Sequence, residues 1–116
     1  MKKLKVYLSG RITGVHRETY LRQFAEAEKM LKEDGFQVVN PTKFLICKWP
    51  WLYRLIGYRL TLSYDIWRLS RCDAFCMLPG WQLSRGARIE RKNAINKGLN
   101  VVKLKVPKKW NRDTRL

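Results

Sequence analysis

Apolar and polar positions along this chain change period several times, and each change marks an element. Leu4 to Leu8, LKVYL, is a short apolar run ending at Ser9-Gly10 and reads as a buried strand. His16 to Asp34 carries Tyr20, Phe24, Ala27 and Leu31 at helical spacing, with Gly35 just past the end. Phe36 to Val39 is a second strand, stopped by Asn40-Pro41. Lys43 to Leu62 has no single period. Trp49, Trp51, Tyr53 and Tyr58 stand there among Leu, Ile and basic residues, broken by Pro50 and Gly57, and helix, strand and irregular loop all fit. Leu62 to Arg71 predicts a helix with Leu62, Ile66 and Leu69 on one side. Ala74 to Leu78 predicts a third strand, Arg85 to Lys97 a helix and Leu99 to Leu104 a fourth strand, before a basic tail from Lys105.

This alternation implies an α/β protein: a flavodoxin-like or Rossmann-like doubly wound parallel sheet of four to five strands with helices on both faces. Right-handed crossovers leave few topologies, and the order 2-1-3-4 is the expected one. Its chain reversal falls between strands 1 and 3, and ligands of such sheets sit beyond the carboxyl ends of the strands at that point. The loops there are Ser9–Gly14 and Pro79–Ser84. The domain is expected to span residues 1–104, with 43–62 as an aromatic insertion and 105–116 as the tail.

At 116 residues the chain has room for one domain with one core, and no apolar run approaches the length of a membrane span. Cys47, Cys72 and Cys76 make an odd count without paired spacing. Cys72 and Cys76 border or lie within a strand, which suggests buried thiols of a cytoplasmic protein rather than disulfide partners or zinc ligands. With His16 the sole histidine, no metal site is expected, and no cofactor.

Charge changes the picture more. The net charge is +16, and the acids are unevenly placed. From Gly35 onward only Asp65, Asp73, Glu90 and Asp113 face seventeen Lys and Arg. An anionic partner (a nucleotide phosphate, a nucleic acid or a membrane surface) fits such a balance, and so does plain solubility. Each of the few acids needs a reason to be there.

Glu90 has the clearest one. Ala87, Glu90, Ala94 and Gly98 fall on one helical face, small and apolar except for the carboxylate, and a carboxylate on a packing face is costly unless paired or needed. It either pairs with Arg88, Arg91 or a neighbouring helix, or it projects into the crevice from the first turns of its helix. Ser9-Gly10-Arg11-Ile12-Thr13-Gly14 can cradle an anion on backbone N–H groups, aided by Arg11 and Thr13, or can be a plain glycine-bearing turn. Ser84 reads as a helix N-cap, Asp65 as a solvated acid near a helix start, and Asp73 as structural at the far end of the sheet. Tyr7 is a core residue by default, with a hydroxyl that can reach a crevice carboxylate.

VYLSGRITG, the Asn-Pro after strand 2, D-x-x-x-L-x-x-CDAFCMLPGW and S-x-G-A-x-x-E-x-x-x-A together resemble the nucleoside 2-deoxyribosyltransferase-like superfamily. The likeness covers most of Lys3 to Leu104 and is nearest to a short subfamily of bacterial and phage domains of unassigned function. It implies an N-glycosidase or 2-deoxyribosyltransferase that cleaves the N-glycosidic bond of a (deoxy)nucleoside 5′-monophosphate through a covalent glutamyl intermediate. It implies Glu90 as nucleophile, Asp65 as the acid near the base and Tyr7 as the group orienting Glu90. Gly10, Arg11, Thr13 and Ser84 would bind phosphate, with Ser9, Gly80 and Gly86 in the same substrate-binding set.

Two other readings stand beside it. One is a nucleotide-sensing domain with the same crevice and no turnover. The other is nucleic-acid association through Lys103, Lys105, Lys108, Lys109, Arg112 and Arg115 with tryptophans 49, 51 and 110, which is not favoured. The aromatic stretch 43–62 is too apolar for a solvated loop, so a homo-oligomer is expected with Trp49, Trp51 and Tyr53 at or near the contact. A membrane-surface role is the runner-up for that stretch.

Overall fold

A computed structural model describes residues 3–12, 14–43, 55 and 57–104 of the chain. Thr13, the aromatic residues Trp49, Trp51 and Tyr53, and the tail from Lys105 lie outside the described residues, and with them the expected subunit contact.

Four parallel strands form the sheet: β1 (Lys5–Ser9), β2 (Gln37–Val39), β3 (Ala74–Met77) and β4 (Asn100–Val101), in the order β2-β1-β3-β4. Helix α1 (Arg17–Glu33) joins β1 to β2, α2 (Tyr58–Ser70) precedes β3, and α3 (Arg85–Asn96) joins β3 to β4. Single 3₁₀ turns, Pro41–Lys43 and Trp81–Leu83, follow β2 and β3. The topology is the doubly wound one that the alternation of elements predicts.

Strand alternation divides the core between the two faces. Val6 and Leu8 of β1 and Ala74 and Cys76 of β3 pack with Phe24, Ala27 and Leu31 of α1. Tyr7 and Phe75 point to the other face and pack with Leu69 of α2 and Ala94 of α3. All of these side chains are buried, as a parallel sheet covered on both sides requires. Burial pushes the thiols of Cys72 and Cys76 up to about 11, which makes both poor nucleophiles at neutral pH.

Several boundaries differ from the sequence expectation. β1 continues one residue further, to Ser9, because β3 pairs with it along its whole length: Ser9 sits opposite Met77, and Leu78 N–H donates to the Ser9 carbonyl at 2.8 Å. β4 is two residues rather than six, since only Asn100 and Val101 find partners on β3. α2 begins at Tyr58, inside the stretch that had no clear period, after Gly57 at φ +88°. Asp65 is therefore in the middle of its helix and not near the start. Gly98, expected on the packing face of α3, is exposed beyond the helix end at φ +75°, where a glycine relieves the left-handed strain.

Candidate functional site

The sheet places two hydroxyls where a helix places one carboxylate. Tyr7 and Ser9 are two residues apart on β1, so their side chains leave the same face roughly 6.6 Å apart along the strand. α3 crosses that face with Ala87, Glu90 and Ala94 as its buried residues. The small alanines let the helix approach closely, and Glu90 reaches the sheet between the two hydroxyls. Tyr7 Oη–H donates to Glu90 Oε2 at 2.6 Å, and Ser9 Oγ–H donates to Oε1 at 2.8 Å. Both carboxylate oxygens are thus held, and the plane of the group is fixed from two directions.

Glu90 is the sixth residue of α3, beyond the first turn where the helix dipole acts, so the two hydroxyls and not the helix N-terminus are its donors. Burial raises the Glu90 pKa above its ordinary value, and the hydrogen bonds from Tyr7 and Ser9 oppose that rise. The clamp supplies hydrogen bonds but no counter-charge.

Asp65 comes to the same place from α2, which packs against α3. Its pKa is pushed up to about 8, first by burial and then by the negative charge of Glu90. Burial disfavours the charged form of both groups, and the charge on Glu90 adds to the rise at Asp65. Both hydroxyls of the clamp donate to Glu90, which favours its ionised form.

The first switch-point loop packs on the residue that follows β3. A methyl group on Gly10 would lie 3.0 Å from Leu78 Cβ and 3.3 Å from Phe24 Cζ, so the first loop passes directly over the end of β3. A side chain at Gly10 would need Leu78 and Phe24 to give way. Arg11 folds back over Gly14: a Cβ there would be 2.7 Å from Arg11 Nη2, and Gly14 has φ +83°. In the second loop Gly80 has the left-handed φ of +86° that starts the 3₁₀ turn. Arg91 of α3 stacks over Trp81 at 4.9 Å from the ring centroid and ties that turn to the helix. Ser84 is the N-cap of α3, its Oγ accepting from Ala87 N–H at 3.2 Å, as its position before the helix predicts. Gly86 follows in the first turn, half-buried.

Ser9 is the residue whose role changes most. Expected in the loop with the substrate-binding set, it is instead a buried strand residue whose hydroxyl proton is committed to Glu90. Asp73 is structural, as expected, and accepts from Lys5 N–H at 2.9 Å at the opposite end of the sheet.

A second polar cluster has no counterpart in the sequence reading. Glu28 of α1 is buried and accepts from Lys32 Nζ and Lys43 Nζ, each at 2.8 Å, and from Asn40 Nδ2 at 3.1 Å. Asn40 Oδ1 in turn accepts from Thr42 N–H at 3.0 Å and Thr42 Oγ at 2.6 Å. Burial alone would raise the Glu28 pKa, but the two lysines and Asn40 outweigh it and lower the value to about 2. The available signal was the place of Glu28 on the buried side of α1, beside Phe24, Ala27 and Leu31.

Among the described residues no three His, Cys, Asp or Glu side chains cluster as metal ligands do, and no helix is long and apolar enough to cross a membrane.

The fold and this site define a class: a doubly wound parallel α/β domain with a hydroxyl-clamped carboxylate beneath its switch point. Within it, the chain belongs to the DUF4406 family, described as a domain of unknown function, which it matches over residues 4–103. No curated protein and no solved structure matches it.

Proposed function

We propose that the domain cleaves the N-glycosidic bond of a (deoxy)nucleoside 5′-monophosphate, with Glu90 as nucleophile and Asp65 as general acid. The observation that carries this reading is the pairing of unlike carboxylates: Glu90 gripped by two hydroxyl donors, beside an Asp65 that holds its proton to about pH 8. A nucleophile must be ionised and aimed, and a general acid must be protonated at working pH. Environments that separate two carboxyl groups in this way are the usual means of assigning those roles.

In the first step a Glu90 oxygen bonds to C1′ of the sugar as the C1′–N bond breaks. The bonding pair goes to the base nitrogen, and the Asp65 proton neutralises the base. C1′ passes through an oxocarbenium-like state, whose positive charge the adjacent carboxylate stabilises. In the second step Asp65, now ionised, takes a proton from water, and the hydroxide oxygen bonds to C1′ as the glutamyl ester breaks. A second base in place of water gives transfer instead of hydrolysis. Tyr7 and Ser9 keep Glu90 in one orientation through both steps. The loop of Gly10 and Arg11 with the turn at Gly80 stands where the 5′-phosphate would sit, and Arg11 supplies a charged donor for it.

The test is release of free base from a panel of deoxynucleoside 5′-monophosphates, separated by chromatography, with and without an acceptor base. Release by the wild type that is lost in Glu90→Gln supports the reading. Equal, negligible release by both across the panel overturns it. Thermal stabilisation by a monophosphate without turnover would replace it with the nucleotide-sensing reading.

A further inference from the structure

A cavity lies along the edge of the sheet at β2, and neither Glu90 nor Asp65 is among its lining residues. Its volume is about 390 Å³, within the range of small-molecule sites, and its walls come from β1, β2, the turn after β2, and α2. Lys5, Lys43 and Arg68 line it with Tyr64, Asn40 and Val38, and no carboxylate is among its described lining residues.

Several independent features give it one electrostatic character. Arg68 Nη1 donates to the Tyr64 hydroxyl at 2.9 Å, which sets the direction of the guanidinium fork. Lys43 Nζ is anchored on Glu28, but that carboxylate also serves Lys32, so one carboxylate answers two ammonium groups and a positive charge is left over. Lys5 and Arg68 both act on the thiol of Cys72, where they oppose burial and the negative charge of Asp73, so two cationic heads and one carboxylate share that neighbourhood. The backbone adds a donor. β2 is the outermost strand, and Gln37 N–H donates inward to Leu4 O at 2.9 Å. Alternation along a parallel strand then turns Val38 N–H outward, to the cavity side.

We propose that this cavity, which Glu90 and Asp65 do not line, is a binding site for a small multiply charged phosphate anion. A guanidinium fork, two ammonium groups and a backbone N–H are the donor set that phosphate oxygens take up. A peptide adding to the sheet edge is the weaker fit, because β2 has three residues and turns the hydrogen-bonding groups of only one of them outward. The site does not depend on the chemistry proposed for Glu90.

Titration of the ¹⁵N-labelled full chain with pyrophosphate at fixed ionic strength tests this, read by amide NMR. The expected result is saturable shifts at Val38, Arg68 and Cys72, at least tenfold weaker in Arg68→Gln and absent in Lys5→Gln/Arg68→Gln. Arg11→Ala should leave them unchanged. The variants' spectra away from the cavity report whether they fold, and Lys5→Gln alone, weakening the same shifts, serves if Arg68→Gln does not. Absence of saturable shifts in the wild type overturns the proposal. So do shifts confined to residues 9–12 and 79–86, which would mean binding in the crevice. Non-saturating shifts spread over Arg85, Arg88 and Lys92 would mean screening of surface charge and would also overturn it.

Discussion

Two buried glutamates in this molecule are treated in opposite ways. Glu28 and Glu90 each expose 7 % of their surface, but the Glu90 carboxylate lies much deeper than that of Glu28, whose lysine partners are largely exposed; one is on the helix over the first face of the sheet and one on a helix over the second. Glu28 is given two ammonium groups and an amide, and its pKa falls to about 2. Glu90 is raised by burial, and its two hydroxyl donors offset that rise only in part. Counter-charge settles a carboxylate into one protonation state at every ordinary pH. Hydroxyl donors orient it and leave its charge available. The first arrangement suits a clamp between α1 and the turn after β2, and the second suits chemistry.

The comparison is broken most sharply by removing each charge while keeping the shape. Glu90→Gln should lower base release by at least about a thousandfold, since a nucleophile acting with its partners is rarely replaceable. Glu28→Gln should leave the rate per folded molecule within about twofold. Chromatographic assay of both variants, normalised to folded protein, decides it. Equal losses would mean that the two glutamates do not differ in kind.

Stability should divide the other way. Glu28→Ala strands Asn40 and releases Lys43, and should cost about 2 kcal/mol in urea unfolding, toward the lower end for charge-assisted bonds because both lysines are largely exposed. Glu90→Gln should keep or gain stability at pH 8, because it removes a buried charge whose recorded partners are two neutral hydroxyls. A large loss in Glu90→Gln would mark Glu90 as structural.

pH sharpens the contrast through its sign. The Glu28 pKa is depressed in the fold, so its contribution is present above about 4.5 and is lost as pH falls toward 2. The Asp65 pKa is raised from 3.8 to about 8, so the folded state holds a proton that the unfolded state gives up. Its contribution is complete below about pH 4 and is lost as pH rises through 8. Asp65→Asn should therefore flatten the fall in Tm between those limits. The same substitution should abolish the alkaline limb of the pH–rate profile of whatever activity remains. A limb that persists in Asp65→Asn would assign the proton to another group.

Much of this was legible in the chain, and the rest was hidden for definite reasons. The sheet order followed from alternation and handedness, because strand and helix periods were clean in β1, α1, β3 and α3. Glu90 stood out because Ala87 and Ala94 made its face apolar. Ser9 was misplaced by a single residue: the apolar run ends at Leu8, and only pairing with Met77 extends the strand and turns the hydroxyl inward. The N-terminal turn of α2 was obscured because Leu60 and Trp67 point outward, which erases the apolar stripe. The Glu28 cluster joins residues of α1 to the turn after β2, and no local spacing announces a contact of that range.

The smallest expected effect tests the clamp itself. Tyr7→Phe removes one of two donors to Glu90 and leaves the ring, which fills the core beside Leu69 and Phe75. The loss should be about 1.5 kcal/mol where Glu90 is ionised, since one bond to a charged acceptor disappears while packing is kept. With one donor gone, burial is opposed less, so the Glu90 pKa should climb further, and the acid limb of the pH–rate profile should move to higher pH. Ser9→Ala should act in the same direction through the other oxygen. In a Glu90→Gln background the cost of Tyr7→Phe should shrink, because the acceptor no longer carries charge, and the difference between the two backgrounds is the coupling energy of the clamp. A Tyr7→Phe cost that is the same in both backgrounds would place its origin in the core and leave Glu90 held by Ser9 alone.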